Sequence, residues 1–164
     1  MTDSQLRLLI GQRLAVGFDG TAIPDEFAQL VRDCKVGNVI LFRRNIESFE
    51  QIRELNGQLR ELVIAQTGLE PYLMLDEECG SVSRLCQIGT TTPCAMAIGA
   101  TGKVDNAYEV ARIIGQELRS TGFNLNLFPL NVIHASIFTR KSIIPFLLLQ
   151  TGLGLCMSSE AVSC

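Results

Sequence analysis

Short apolar runs alternate along the chain with longer segments in which apolar residues recur every three or four positions. Four runs have the length of buried β-strands, and they are Leu14–Phe18, Val39–Phe42, Tyr72–Leu75 and Asn124–Phe128. The amphipathic segments between them predict three helices, and a further short helix is expected near Gln5–Ile10. Buried strands that alternate with helices predict a parallel sheet with right-handed crossovers.

Local signals indicate where the helices begin and end. Pro24 suits the first turn of the first helix, and Ser48 with Gln51 three residues later is typical of a capping box. Gly68 is placed to end that second helix, and Asp105 is placed to cap the third. The apolar face predicted for the first helix comprises Phe27, Leu30, Val31 and Cys34.

Two architectures share this alternation. A doubly wound sheet, of which a flavodoxin-like domain is one form, and a (β/α)8 barrel both contain parallel strands connected by helices. Both also place ligand-binding groups at the carboxyl ends of the strands. The pattern predicts an α/β fold with about four parallel strands and leaves the choice between the two architectures open.

The last part of the chain differs in composition from the part that precedes it. Residues 131–164 contain three charged residues, whereas the first 130 residues contain 28. One interpretation is that this apolar segment completes the core, and the other is that it is not native to the fold. We therefore expect a folded part over residues 1–130 and an atypical apolar tail over residues 131–164.

Charge and composition narrow the classes of partner. The chain has 14 basic and 17 acidic side chains, a net charge of −3, which argues against nucleic acid as a partner. No apolar stretch approaches the roughly 20 residues of a membrane helix, so no membrane contact is expected. Six cysteines without a CxxC pair, beside a single histidine, predict no metal site, and we interpret them as reduced thiols of a cytoplasmic protein. Phosphate-binding glycine motifs are absent, and no cofactor is expected.

The segment Asp76–Leu85 carries the residues most suited to a binding site. It begins with a carboxylate directly after the third predicted strand, and Arg84 stands near its end. A carboxylate accepts hydrogen bonds from hydroxyl groups, and an arginine donates several in a fixed geometry. These residues predict recognition of a polar ligand. The structural alternative is a helix N-cap or an ion pair that braces the loop.

Several segments in a fixed order also carry a family pattern. The segment that begins at Asp76 reads D-x-E-x-G-x-V-x-R-L, and it is accompanied by Gly11–Gly20, Val36–Ile46, Thr92–Pro93, Ala97–Thr101 and Gly122–Asn126. Together these motifs resemble the N-terminal part of glycoside hydrolase family 3, and most of all its β-N-acetylglucosaminidase branch. The resemblance runs from Leu8 to Pro129.

This resemblance implies a (β/α)8-like barrel that hydrolyses terminal β-linked N-acetylglucosamine or related sugars with retention of configuration. The partner would be a small-molecule or oligosaccharide substrate with such a sugar at its end. The resemblance implies that Asp76 and Arg84 bind hydroxyl groups of the non-reducing sugar, and we assign Glu78 to bracing of the loop. The chain departs from the family at Cys79 and Ser81, where glycine and a basic residue are usual.

The resemblance also indicates that catalytic groups are missing. A retaining glycosidase needs two carboxyl groups about 5–5.5 Å apart that face one bond, and in the family the catalytic groups lie on later parts of the barrel. Asp76, Glu77 and Glu78 share one local loop, so we predict no catalytic residue among them. His134, the single histidine, lacks the family's surrounding motif.

We therefore expect an incomplete (β/α)8 TIM-like barrel, a truncated glycoside hydrolase that is inactive on its own. From about Leu130 onward we expect an unrelated or frame-shifted ending. Open sheet edges would allow such a piece to associate with itself. The alternative function is a non-catalytic carbohydrate-binding or interaction module.

Overall fold

Four parallel strands form one sheet in the computed structural model, which describes residues 1–78, 80 and 82–127. They are β1 (Ala15–Val16), β2 (Asn38–Ile40), β3 (Tyr72–Leu75) and β4 (Leu125–Asn126), and they lie side by side in the order β1-β2-β3-β4. Because each strand pairs with its successor, the sheet lacks the strand-order reversal of doubly wound folds. The order is that of a (β/α) barrel. The predicted α/β fold is confirmed, and the flavodoxin-like alternative is wrong.

Helices follow the strands as the apolar pattern predicts. They are α1 (Asp3–Gly11), α2 (Asp25–Cys34), α3 (Phe49–Thr67), α4 (Ala95–Ala100) and α5 (Val104–Ser120), with a single 3₁₀ turn at Arg43–Asn45. The short helix α4 was not expected from the pattern, because its six residues are too few to show a period. None of the described helices is long and apolar enough to cross a membrane.

One hydrophobic core lies between the sheet and the helices. Val39, Leu41, Leu73 and Leu75 are buried to 2 % exposure or less, and they pack with side chains of α2, α3 and α5. Of the apolar face predicted for α2, Phe27 and Val31 are buried, whereas Leu30 is 38 % exposed and Cys34 is exposed. The prediction for Leu30 and Cys34 is wrong, since a ten-residue helix at this position buries a narrower stripe than its apolar residues span.

The helix ends follow the predicted signals in part. Ser48 accepts a hydrogen bond from the Gln51 backbone at 3.1 Å, and Gly68 ends α3 in the left-handed region at φ 73°. The Gln51 side chain instead donates to the Thr21 carbonyl at 2.8 Å, and it thereby ties the loop after β1 to α3. Asp105 lies inside the first turn of α5, whose N-cap is Lys103, so its predicted capping role is wrong.

Asparagine side chains extend the hydrogen bonding of these very short strands. The Asn38 amide donates to the carbonyls of Gln12 and Leu14 at 2.9 and 3.1 Å, and its oxygen accepts from the Tyr72 backbone at 3.3 Å. Asn124 accepts from the Leu73 backbone at 2.7 Å in the same manner. These amides hold neighbouring strands in register, which fixes the relative heights of the strand ends.

The apolar segment over residues 131–164 and the end of the predicted fourth strand, Phe128, lie outside the described residues. The division of the chain at Leu130 therefore stays a prediction.

Candidate functional site

The candidate site lies where the loop after β3 leaves the sheet. Asp76 follows Leu75, the last residue of β3, and the loop returns Arg84 to the same place. The two side chains form an ion pair in which Arg84 Nη2 lies 3.8 Å from Asp76 Oδ2. The structure thus brings together the two residues that the sequence nominated as a binding pair.

The Asp76–Arg84 pair is partly shielded from solvent, with 18 % and 29 % of the side chains exposed. The separation of 3.8 Å is too long for a direct hydrogen bond, so the two groups attract each other without saturating their donors and acceptors. The Arg84 Nε is buried and has no hydrogen-bond partner among the described residues. Both side chains therefore keep capacity for a polar ligand.

Burial also changes the proton affinity of the aspartate. Removal from water raises the pKa of the Asp76 carboxyl above its ordinary value, and the neighbouring Arg84 guanidinium opposes part of that rise. Ionisation of Asp76 in the folded chain thus costs stability, and such perturbed groups are common at binding and catalytic sites.

Glu77 fixes the position of Arg84. The residue is 4 % exposed, and its Oε2 accepts hydrogen bonds from the Arg84 and Leu85 backbones at 2.7 and 2.9 Å. Since the acceptor is a carboxylate, these bonds are stronger than those between neutral groups. The far end of the loop is thereby bound to its beginning.

The last strand contributes a second restraint on Glu77. The Asn126 side chain accepts from the Glu77 backbone N–H at 2.9 Å and donates to the Glu77 carbonyl at 2.9 Å. This two-way contact joins β4 to the residue that follows Asp76. The strand end therefore cannot shift relative to β4 without the loss of both bonds.

The Glu77 side chain braces the loop through two backbone N–H groups, a role that the sequence assigns to Glu78. Glu78 closes the loop through its backbone, which donates to the Val82 carbonyl at 2.8 Å. Strand periodicity could have identified Glu77, because Leu73, Leu75 and Glu77 alternate onto the face that meets the core. Asp76 points the other way, as expected for a neighbour on an extended segment.

The Phe42 ring lies next to the site, and the sequence pattern does not predict its contacts there. The Arg44 and Arg84 guanidinium carbons lie 4.8 and 6.0 Å from the centre of the Phe42 ring, and Arg44 also forms an ion pair with Asp19. Asp19 follows β1, and Phe42 and Arg44 follow β2, so these three residues lie beside the loop after β3. No periodicity marks such a contact, because it joins residues from three separate loops.

The remaining sequence predictions about the site have different outcomes. His134 lies outside the described residues, as do Cys79 and Ser81. Among the described side chains, no group of three or more His, Cys, Asp or Glu residues is arranged to hold a metal ion. No helix begins at Asp76, so the N-cap alternative is wrong, whereas the bracing ion pair of that alternative is present.

A parallel sheet in barrel order with a polar pair beyond its carboxyl edge defines the class of (β/α)-barrel ligand sites. Comparison with known families narrows the class. The family model described as "Glycosyl hydrolase family 3 N terminal domain" matches residues 5–139. The chain belongs to glycoside hydrolase family 3.

Similar proteins carry names from the same family. The chain is 33 % identical over 114 residues to beta-hexosaminidase A of Pseudoalteromonas piscicida, a match that covers 66 % of this chain and 19 % of that protein. It is 31 % identical over 123 residues to a beta-hexosaminidase of Xylella fastidiosa strain M12, which covers 71 % and 35 %. The chain thus spans between about a fifth and about a third of the length of these relatives.

Solved structures agree with the fold. A family 3 β-N-acetylglucosaminidase from Paenibacillus sp. FPU-7 superposes with a TM-score of 0.70 at 37 % identity, over 74 % of this chain and 23 % of that one. A β-N-acetylhexosaminidase from Beutenbergia cavernae gives 0.67 at 27 % identity, over 76 % and 37 %. The four strands therefore correspond to part of a larger barrel domain.

Replacement of the bracing carboxylate tests the architecture of the loop. Glu77→Ala leaves two N–H groups without an acceptor, each at a cost of about 1–3 kcal/mol. We expect the free energy of unfolding, measured by urea titration, to fall by about 2–6 kcal/mol. In the control Glu61→Ala, at an exposed position of α3, it should change by less than about 0.5 kcal/mol. Equal effects of the two substitutions would contradict the bracing role.

The raised pKa of Asp76 predicts a defined pH dependence. A carboxyl whose folded pKa is raised adds stability while it is protonated, and that stability is lost as the pH rises through the folded pKa. The neutral variant Asp76→Asn lacks this loss, so its stability relative to the natural chain should increase from pH 3.5 to pH 7. Urea unfolding across this range measures the difference. A difference that is constant, or that shrinks towards pH 7, would show that the folded pKa is not raised.

Proposed function

We propose that this chain supplies the hydroxyl-binding side of a sugar site in a β-N-acetylglucosaminidase-type glycoside hydrolase. Asp76 and Arg84 are the residues that bind the hydroxyl groups of the non-reducing sugar. The observation that carries the proposal is their half-shielded pair beyond the end of β3, in which Arg84 Nε is buried without a partner. A ligand that brings both donors and acceptors suits this pair.

Sugar hydroxyls meet that requirement. An ionised carboxylate accepts bonds from two adjacent hydroxyls, while a guanidinium donates to the oxygen of one of them. Because Asp76 and Arg84 carry opposite charges at close range, the pair as a whole favours a neutral, polar ligand over a charged one. The names of the similar proteins support N-acetylglucosamine as the sugar.

Hydrolysis requires more than this pair. In the retaining mechanism a nucleophilic carboxyl and a proton donor face one bond about 5–5.5 Å apart. Asp76 is paired with Arg84, and the carboxylate of Glu77 is occupied by two backbone N–H groups. We therefore propose that the described residues bind sugar without cleaving it. An interaction module of the same family would use the same pair for binding alone.

The proposed location is the cytoplasm. Cys34, Cys86 and Cys94 are free thiols in the structure, and such thiols suit a reducing compartment. The net charge of −3 argues against a nucleic-acid or membrane partner.

The binding role is tested with N-acetylglucosamine and its 4-nitrophenyl β-glycoside. The natural chain should bind the free sugar in a calorimetric titration, and it should release no nitrophenol from the glycoside. Asp76→Asn and Arg84→Lys should each weaken binding about ten- to hundred-fold, the equivalent of one hydrogen bond to a charged group. The matched controls are Glu70→Gln and Arg60→Lys, since these residues form an exposed ion pair near the opposite end of β3.

Two outcomes would overturn this proposal. The first is unchanged affinity in both Asp76→Asn and Arg84→Lys, which would place the sugar elsewhere. The second is release of nitrophenol that Asp76→Asn abolishes, which would make Asp76 a catalytic group.

Self-association is the partner contact that the fold favours. Among the described residues, the outer edges of β1 and β4 pair with no further strand, and unpaired edges attract other strands. Leu6, Leu9 and Ile10 on α1 are also exposed. We expect sedimentation velocity to show a mass that rises with protein concentration. A monomer at every concentration would contradict this expectation.

A further inference from the structure

The Phe42 ring holds a fixed place between the ends of β1 and β2. Its backbone N–H donates to the Asn45 side chain at 2.9 Å, and Asn45 donates in turn to the Phe18 carbonyl at 3.0 Å. The ring packs beside Gly17, where an added Cβ would lie 3.5 Å from Phe42 Cε2. The ring is therefore anchored from its own backbone and from the adjacent strand.

The Arg84 side chain, in contrast, is weakly restrained by polar contacts. Glu77 fixes its backbone, but the guanidinium meets Asp76 at 3.8 Å and its Nε has no partner. The guanidinium also lies over the Phe42 ring, with its central carbon 6.0 Å from the ring centre. An arginine within about 6 Å of a ring centre is attracted to the ring face.

We propose that Phe42 is a positioning residue: its ring holds the Arg84 guanidinium beside the Asp76 carboxylate, in the orientation that a ligand meets. The consequence for sugar binding rests on the proposed function, whereas the contact itself does not. Phe42 acts through Arg84 and touches no reacting atom in this arrangement.

A second arginine uses the same ring. Arg44 lies 4.8 Å from the ring centre and is paired with Asp19. Each arginine thus has its own carboxylate, and both guanidinium groups lie near one aromatic side chain. The carboxylates offset the repulsion between the two cations, and the ring determines how closely the cations approach.

Phe42→Leu and Phe42→Tyr separate positioning from packing. Leucine removes the ring, whereas tyrosine keeps it. The matched control is Phe27→Leu, which removes a ring from the core, where Phe27 packs against Phe18. Three measurements are made on the full chain: the NMR shift of the Arg84 Nε–H group, the titration of the Asp76 carboxyl carbon, and the affinity for N-acetylglucosamine.

We expect Phe42→Leu to abolish the ring-induced shift of the Arg84 signal and to weaken sugar binding about two- to five-fold. The pKa of Asp76 should rise further, because a guanidinium that is no longer held nearby lowers it less. Phe42→Tyr should preserve all three values. Phe27→Leu should lower the melting temperature and leave the Arg84 signal in place.

The proposal is overturned if Phe42→Leu leaves the Arg84 signal and the Asp76 titration unchanged, or if Phe27→Leu alters them equally. A natural chain that binds no N-acetylglucosamine would refute the proposed function. The Arg84 and Asp76 signals would still decide the role of Phe42 in that event, so the two failures are distinguishable.

Discussion

A single buried carboxylate determines the form of the candidate site. A charge as buried as that of Glu77 is tolerated only when its lost hydration is replaced, and two backbone N–H groups of the returning loop replace it. The need to satisfy this carboxylate forces the loop to close back on the end of β3. This closure places Arg84 beside Asp76. The Asn126 side chain restrains Glu77 from the side of β4.

Neighbouring side chains of an extended chain lie on opposite faces, so the adjacent acids Asp76 and Glu77 have different roles. Glu77 faces the core and stabilises the loop, while Asp76 faces the half-shielded space beyond the sheet and pairs loosely with Arg84. The Oε2 atom of Glu77 accepts two backbone hydrogen bonds, whereas Asp76 keeps free capacity and has a raised pKa. A carboxyl whose ionisation costs stability, without full compensation, is more readily explained by binding than by stability.

The sequence predicted the four strands and the main helices because periodicity reports which residues meet a core. It also selected Asp76 and Arg84, since their types and positions suit a polar ligand. It did not identify the brace at Glu77, because the alternation of the three acids was used to exclude a catalytic pair and was not extended from the buried side chains of Leu73 and Leu75. The contacts of Phe42 could not be predicted from the sequence, because they depend on the distances between three separate loops. Leu30 was misjudged because helical spacing shows which residues share a face, but not how much of that face is covered.

The strand order explains why these groups form a row. Since consecutive strands are neighbours, the loops after β1, β2 and β3 stand side by side, and they present Asp19–Arg44, then Phe42, then Arg84–Asp76. A row at one rim can contact a ligand from one side only. Cleavage of a glycosidic bond with retention needs groups on both sides of the reacting carbon. The described geometry is therefore consistent with the proposed recognition of a sugar, while groups that attack a glycosidic bond would have to approach from a direction that these loops do not provide.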